Sequence, residues 1–323
     1  MPATIDASSF SGLDRSPPIL ALSGDTMGTT WRVLAVAARE ETAALHRAIV
    51  ARLNELVAQM SHWEPASLLS RFNRGRSGDT FLLPDDFAHV MAVSFEVADA
   101  SAGAFDPAVG ALVDLWGFGP PGNMPPPSPE AIDAAQRTSG WKRLSWNPDN
   151  GALVQPGGCR LDLSGIAKGY ASDAVMQTLN SKGVRHALVE VGGELVGRGV
   201  RPDGEPWWVD LERPPDIALP MFRIALHGLA VATSGTYRRG DHNLDPRLGR
   251  PAVHGVVSAT VVAADATHAD AWATALTVLS PDDAARCAHA YGIAARLIVQ
   301  QDGEPREWLS PSLNAMLLDE AVA

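Results

Sequence analysis

The run Gly255-Val-Val-Ser-Ala-Thr-Val-Val-Ala263 is the most β-prone in the chain, and a run of that kind reads as a central strand. Directly after it, Ala266-Thr-His-Ala-Asp270-Ala-Trp-Ala-Thr274-Ala-Leu reads as a helix, so the sheet must offer that helix a face. Further strands are expected at Trp31–Val36, Ala187–Val191, Trp207–Leu211, Arg223–Leu226, Ala230–Ala232 and Arg296–Gln300, with two short ones around Arg143–Trp146 and Ala152–Val154. Helices are expected from about Arg39 to Ser61, where Leu45, Ile49, Leu53, Leu56, Val57 and Met60 recur at three- and four-residue spacings. Others run from an Asp85 N-cap to near Gly103, from Pro129 to Arg137 and from Pro281 to Ala290. Strands outnumber helices without regular βαβ alternation, which favours an α+β fold over a doubly wound sheet.

Midway along the chain, Asp162-Leu-Ser-Gly165-Ile-Ala-Lys168-Gly169-Tyr170-Ala-Ser-Asp173 reads as a strand end, a Gly-punctuated turn and the opening of a helix that ends near Asn180. Arg160-Leu-Asp-Leu alternates like a strand, and Gly165 and Gly169 permit close backbone approach. Amides at such a turn can receive phosphate, with Lys168 as a cation beside them. The spacing is neither a Walker loop nor G-x-G-x-x-G. Later, Gly192-Gly193-Glu194 stops a strand, which suggests a bulge or the approach of another molecule.

A formal charge of -11 disfavours a nucleic-acid binder, which would need surplus Lys and Arg. No run of about 18 apolar residues predicts a membrane span. The first 26 residues lack a cationic start followed by an apolar stretch. That points to the cytoplasm, or to the periplasm if the true start lies upstream. Cys159 and Cys287 are the only cysteines and read as two structural thiols ahead of the alternative, a single bridge between them. Residues 1–21 are polar and Pro-interrupted and are expected to form a loose arm before a domain spanning 22–323.

On the helix after the central strand, Asp270 and Thr274 are four residues apart and share a face. A carboxylate and a hydroxyl are hard oxygen donors suited to Mg²⁺, although such a pair standing alone also describes a solvated helix face. Trp63, ahead of a Pro-containing turn, reads by itself as a core plug.

Seven short motifs alter that picture. Met27-Gly-Thr, Gly103-Ala-Phe-Asp-Pro, Asp162-Leu-Ser-Gly-Ile-Ala-Lys-Gly-Tyr, Val191-Gly-Gly-Glu, Ala232-Thr-Ser-Gly, His242-Asn-Leu-Asp-Pro-Arg and Ala269-Asp-Ala-Trp-Ala-Thr-Ala-Leu occur in the order found in ApbE-type FAD:protein FMN transferases, which this chain resembles from about residue 22 to 300. The resemblance implies an α+β T-fold-like architecture: mixed and antiparallel sheets with packed helices, in two closely packed lobes around a flavin-binding cleft. It implies Mg²⁺-dependent cleavage of FAD and transfer of FMN through a phosphoester bond to a threonine of an acceptor protein, with AMP leaving. Carried over position by position, Met27, Trp63, Ala104, Phe105, Asp106, Asp162, Lys168 and Leu244 fall where the family contacts FAD. Asp270, Thr274 and the Gly165 carbonyl fall on its magnesium ligands, and His242 and Asp245 face the reacting phosphate as candidate bases. Trp63, Met27 and Phe105 then become apolar walls for flat rings. The chain departs from the family pattern at Thr236 and Leu248, near the acceptor side.

Two other outcomes fit the same residues. A Mg²⁺-dependent FAD diphosphatase would let water replace the acceptor, and a non-catalytic flavin carrier would keep the apolar walls without using Asp270 and Thr274. Ser258-Ala-Thr260 faintly resembles the end of an acceptor motif but sits in the central strand, so self-modification is not expected.

Overall fold

The computed structural model describes residues 7–122, 124–215, 217–237, 243–253, 255–301 and 304–318. In chain order its elements begin with the hairpin β1 (Ile19–Thr26) and β2 (Thr29–Val36), then α1 (Thr42–Met60), α2 (Leu68–Asn73), β3 (Thr80–Leu82), α3 (Asp85–Ala100), α4 (Gly110–Leu115) and α5 (Pro129–Thr138). Next come β4 (Ser145–Asn147), β5 (Ala152–Val154), α6 (Ala167–Ser181), β6 (Ala187–Val191), β7 (Glu194–Arg198), β8 (Trp207–Asp210), β9 (Arg223–Leu226) and β10 (Gly228–Gly235). The chain continues through β11 (Leu244–Asp245), β12 (Arg250–Pro251), β13 (Val256–Ala263), α7 (Ala266–Val278), α8 (Pro281–Ala290), β14 (Ala294–Gln301), β15 (Glu304–Leu309) and α9 (Pro311–Leu318).

Eight strands form one sheet in the order β1-β2-β6-β7-β10-β13-β14-β15, and every pairing in it is antiparallel. The architecture is α+β, as expected. The Val-rich run becomes β13, buried on both faces between β10 and β14. Both faces are covered because α6 and α7 lie on one side while the β8–β9 hairpin and α9 close the other. Trp207, Ile224, Leu226 and Leu313 there meet Val231 and Val262. The main core lies on the helical side, where α1 buries Leu45, Ile49, Leu53, Leu56 and Met60 on one stripe.

Four local expectations are corrected. Arg160–Leu163 is not a strand and joins no sheet. Its backbone is satisfied by the Asn73 side chain, which accepts from Leu161 N–H and donates to Leu161 C=O, and by the 107–110 loop. Asp85 opens α3 rather than capping it, because Pro84 occupies the N-cap with extended dihedrals. The strand before Trp31 starts at Ile19, so the proposed arm boundary at residue 22 falls inside β1, whose Leu20 and Leu22 enter the core. Trp63 is no core plug, being 61% exposed. Cys159 and Cys287 are free thiols, both pushed up by burial. Among the described residues no helix is long and apolar enough to cross a membrane.

Candidate active site

The two glycines of the central motif fit α6 against α7. A Cβ on Gly169 would lie 2.1 Å from the Ala266 carbonyl oxygen and 2.8 Å from Asp270 Cβ, and one on Gly165 would lie 2.8 Å from Thr274 Oγ1. Only hydrogen at those positions lets the backbones come this close. Two further contacts lock the pair. Asp173 accepts from the Ala266 and Thr267 amides, capping α7 from α6, and the Gly169 amide donates to Asp270 Oδ2 at 3.0 Å. That amide, expected to be open to phosphate, is therefore engaged by Asp270.

The result is a knot of hard oxygens. Thr274 Oγ1 donates to the Gly165 carbonyl at 3.3 Å and lies 3.4 Å from Ser234 Oγ on β10. Asp270, one turn back on the same helix face, is 2% exposed, so the pair is not a solvated face. Lys168 Nζ stands 3.7 Å from Asp270 Oδ1 and 2.6 Å from Glu194 Oε1. Burial raises the affinity of both carboxylates for protons, and Lys168 opposes it.

A cleft of about 430 Å³ opens over this knot, a volume typical of small-molecule sites. Met27, Trp63, Ala104, Phe105, Asp106, Asp162, Gly165, Lys168, Leu244, Asp270 and Thr274 all line it, from six separate stretches of chain. Met27 sits at the β1–β2 turn with φ of 49°, a left-handed conformation uncommon for a side chain of its size. Trp63 projects at the rim, its ring 5.4 Å from that of His62. His62 Nδ1 lies 3.6 Å from Asp162 Oδ1, an oxygen that also receives the Ser164 amide. Asp106 accepts from the Ala108 and Trp141 amides, yet burial outweighs both bonds and pushes its carboxyl up to about 6.

Two candidates behave differently. Asp245 is fully buried and does not line the cleft; its oxygens accept from the Arg247 amide and guanidinium at 2.7–2.9 Å. That pairing suits it to shaping the loop rather than to taking a proton from substrate. His242 lies outside the described residues. Glu194 and His62 are among the cleft residues that sequence reasoning passed over as ligands.

Among the described residues no group of three or more His, Cys, Asp or Glu could hold a metal ion. A set of one carboxylate, one hydroxyl and one main-chain carbonyl falls outside that description, and it is the donor chemistry a hard divalent cation prefers. The close fit of Gly165 on Thr274, which a Cβ would abolish, keeps the carbonyl and hydroxyl together. The residues present therefore fit Mg²⁺.

The model of the ApbE family matches residues 27–297. A Klebsiella pneumoniae protein named FAD:protein FMN transferase is 34% identical over 313 residues, covering 93% of this chain and 89% of the relative. The apo form of the Pseudomonas stutzeri flavinyl transferase ApbE superposes with a TM-score of 0.86 at 33% identity, covering 93% of this chain and 96% of that one. The flavin transferase ApbE from Vibrio cholerae gives 0.85 at 33% identity, covering 92% and 99%.

Proposed function

The chain belongs to the ApbE family, and from that premise we propose that it cleaves FAD and transfers FMN to a threonine hydroxyl of an acceptor protein, releasing AMP. Relatives carrying the name FAD:protein FMN transferase support flavin transfer. The observation that carries the finer reading is the convergence of Asp270, Thr274 and the Gly165 carbonyl beneath a cleft walled by Met27, Trp63 and Phe105. A flat ring system suits the apolar rim, and a diphosphate suits the floor.

The roles follow from position. Trp63 and Met27 hold the isoalloxazine, with Ala104, Phe105 and Leu244 closing the walls. Asp106 and Asp162 accept hydrogen bonds from polar edges of the dinucleotide. Lys168 supplies positive charge to the diphosphate and to the AMP phosphate as it leaves. Asp270, Thr274 and the Gly165 carbonyl would hold Mg²⁺, which supplies charge neutralisation on the diphosphate when bound. The acceptor hydroxyl attacks the FMN-side phosphorus, the bond to the AMP phosphate breaks, and the hydroxyl proton passes to a base. With Asp245 tied to Arg247, His242 is assigned as that base.

Product analysis tests this reading. With FAD, Mg²⁺ and acceptor, the wild type should release AMP while FMN stays on the acceptor, and Asp270→Ala or excess chelator should stop both. Free FMN appearing in step with AMP would make the protein an FAD diphosphatase, and AMP release indifferent to Asp270 would remove the metal assignment.

A further inference from the structure

We propose that Glu194 is a positioning residue that holds the Lys168 ammonium off Asp270, keeping one Asp270 oxygen open to a divalent cation. This rests on the metal assignment above. Asp270 Oδ2 is occupied by the Gly169 amide, so Oδ1 is the oxygen that Lys168 and a cation both address. Lys168 lies 2.6 Å from Glu194 but 3.7 Å from Asp270, so Glu194 wins the ammonium. The fold is built to keep it there. Glu194 pairs with Val191 across a two-residue turn whose glycines have φ of 65° and 109°, the positive pair that a tight hairpin of this kind needs.

The hairpin is fastened to the helix that carries the lysine. Ser172, one turn beyond Lys168 on α6, donates its hydroxyl to the Glu194 carbonyl at 2.9 Å. A Cβ on Gly192 would lie 2.9 Å from Lys168 Cδ, so glycine there leaves room for the lysine stem. Glu194 itself is nearly inaccessible, its side chain 4% exposed, and its Oε2 has no hydrogen-bond partner among the described residues. A buried carboxylate with one oxygen unsatisfied costs stability, which argues for a role beyond filling space.

Replacing Glu194 by the isosteric glutamine removes the competing charge. Among the described residues Asp270 is then the remaining carboxylate within 4 Å of the ammonium, and a shift of about 1 Å along the flexible lysine stem gives a direct pair. A divalent cation would have to break that pair before binding.

The test is titration of Mn²⁺ alone into the apo protein, with free Mn²⁺ read by electron paramagnetic resonance. Glu194→Gln should bind about tenfold more weakly than wild type, and Glu194→Gln with Lys168→Met should return to within about threefold, because the intruding cation is gone. Equal binding by Glu194→Gln and wild type overturns the inference, as does a double variant no better than the single one, since a misfolded site or a lost ligand is not repaired by deleting a lysine. Should Glu194→Gln fail to fold, Lys168→Met alone must bind Mn²⁺ at least as tightly as wild type, and weaker binding overturns the inference. Absence of saturable binding by wild type, or wild-type binding by Asp270→Ala, removes the metal assignment and this inference with it.

Discussion

Gly169→Ala is the substitution that most directly probes how the site is held together. The added methyl would sit 2.1 Å from the Ala266 carbonyl oxygen and 2.7 Å from its carbon, both backbone atoms that cannot rotate away. Reaching ordinary contact requires α6 and α7 to part by more than about 1 Å, and overpacking of that kind costs about 1–3 kcal/mol. Alanine gives back about 1 kcal/mol of helix propensity, so the net destabilisation is about 0–2 kcal/mol, a melting shift of at most about 3 °C in a chain of this size. The effect on function is larger. The same parting lengthens the 3.0 Å bond from the Gly169 amide to Asp270 and separates Asp270 and Thr274 from the Gly165 carbonyl. A misplacement of about 1 Å in a catalytic constellation can lower turnover by about 100-fold. Calorimetry and AMP release should therefore diverge, a small loss in the first and a large one in the second. A variant that melts higher than wild type and turns over normally would refute the idea that these glycines set the site.

Three further outcomes are expected. Trp63→Ala should leave the melting temperature within about 1 °C, because an exposed side chain contributes little, yet raise the FAD dissociation constant about 5- to 100-fold in a fluorescence titration through lost stacking; unchanged affinity would take Trp63 out of the flavin wall. Asp106, pushed from 3.8 to about 6, stays protonated in the fold at a pH where the unfolded chain has released its proton, so stability should fall by up to about 3 kcal/mol as pH rises from 4 to 6 and then level; denaturant midpoints of Asp106→Asn should lack that component. Asp173→Ala strips the Ala266 and Thr267 amides of their shared acceptor and should cost about 2–4 kcal/mol in denaturant unfolding, against under about 1 kcal/mol if that cap were idle.

What could be read from the chain was governed by how local its causes are. The β13 run and the helix after it announce themselves through a Val- and Thr-rich stretch and apolar spacing, and both stand where expected. The Gly165 and Gly169 spacing pointed to close backbone approach, and the structure supplies the partner, α7. Arg160–Leu163 misled because its alternation is that of a strand, while its hydrogen bonds go to Asn73, some 88 residues earlier. No local pattern carries such a partner. Glu194 was seen only as the residue at which a strand stops, because its meaning depends on Lys168 arriving from α6. Asp245 reads as an available carboxylate until Arg247, two residues on, is seen folded back onto it.

The measurement that bears most directly on the account is the intact mass of an acceptor protein after incubation with this chain, FAD and Mg²⁺. The account predicts a gain equal to FMN less water, located on a single threonine, absent when that threonine is alanine and absent with Asp270→Ala. An acceptor of unchanged mass while FAD is consumed, or a gain that persists without Asp270, would contradict it.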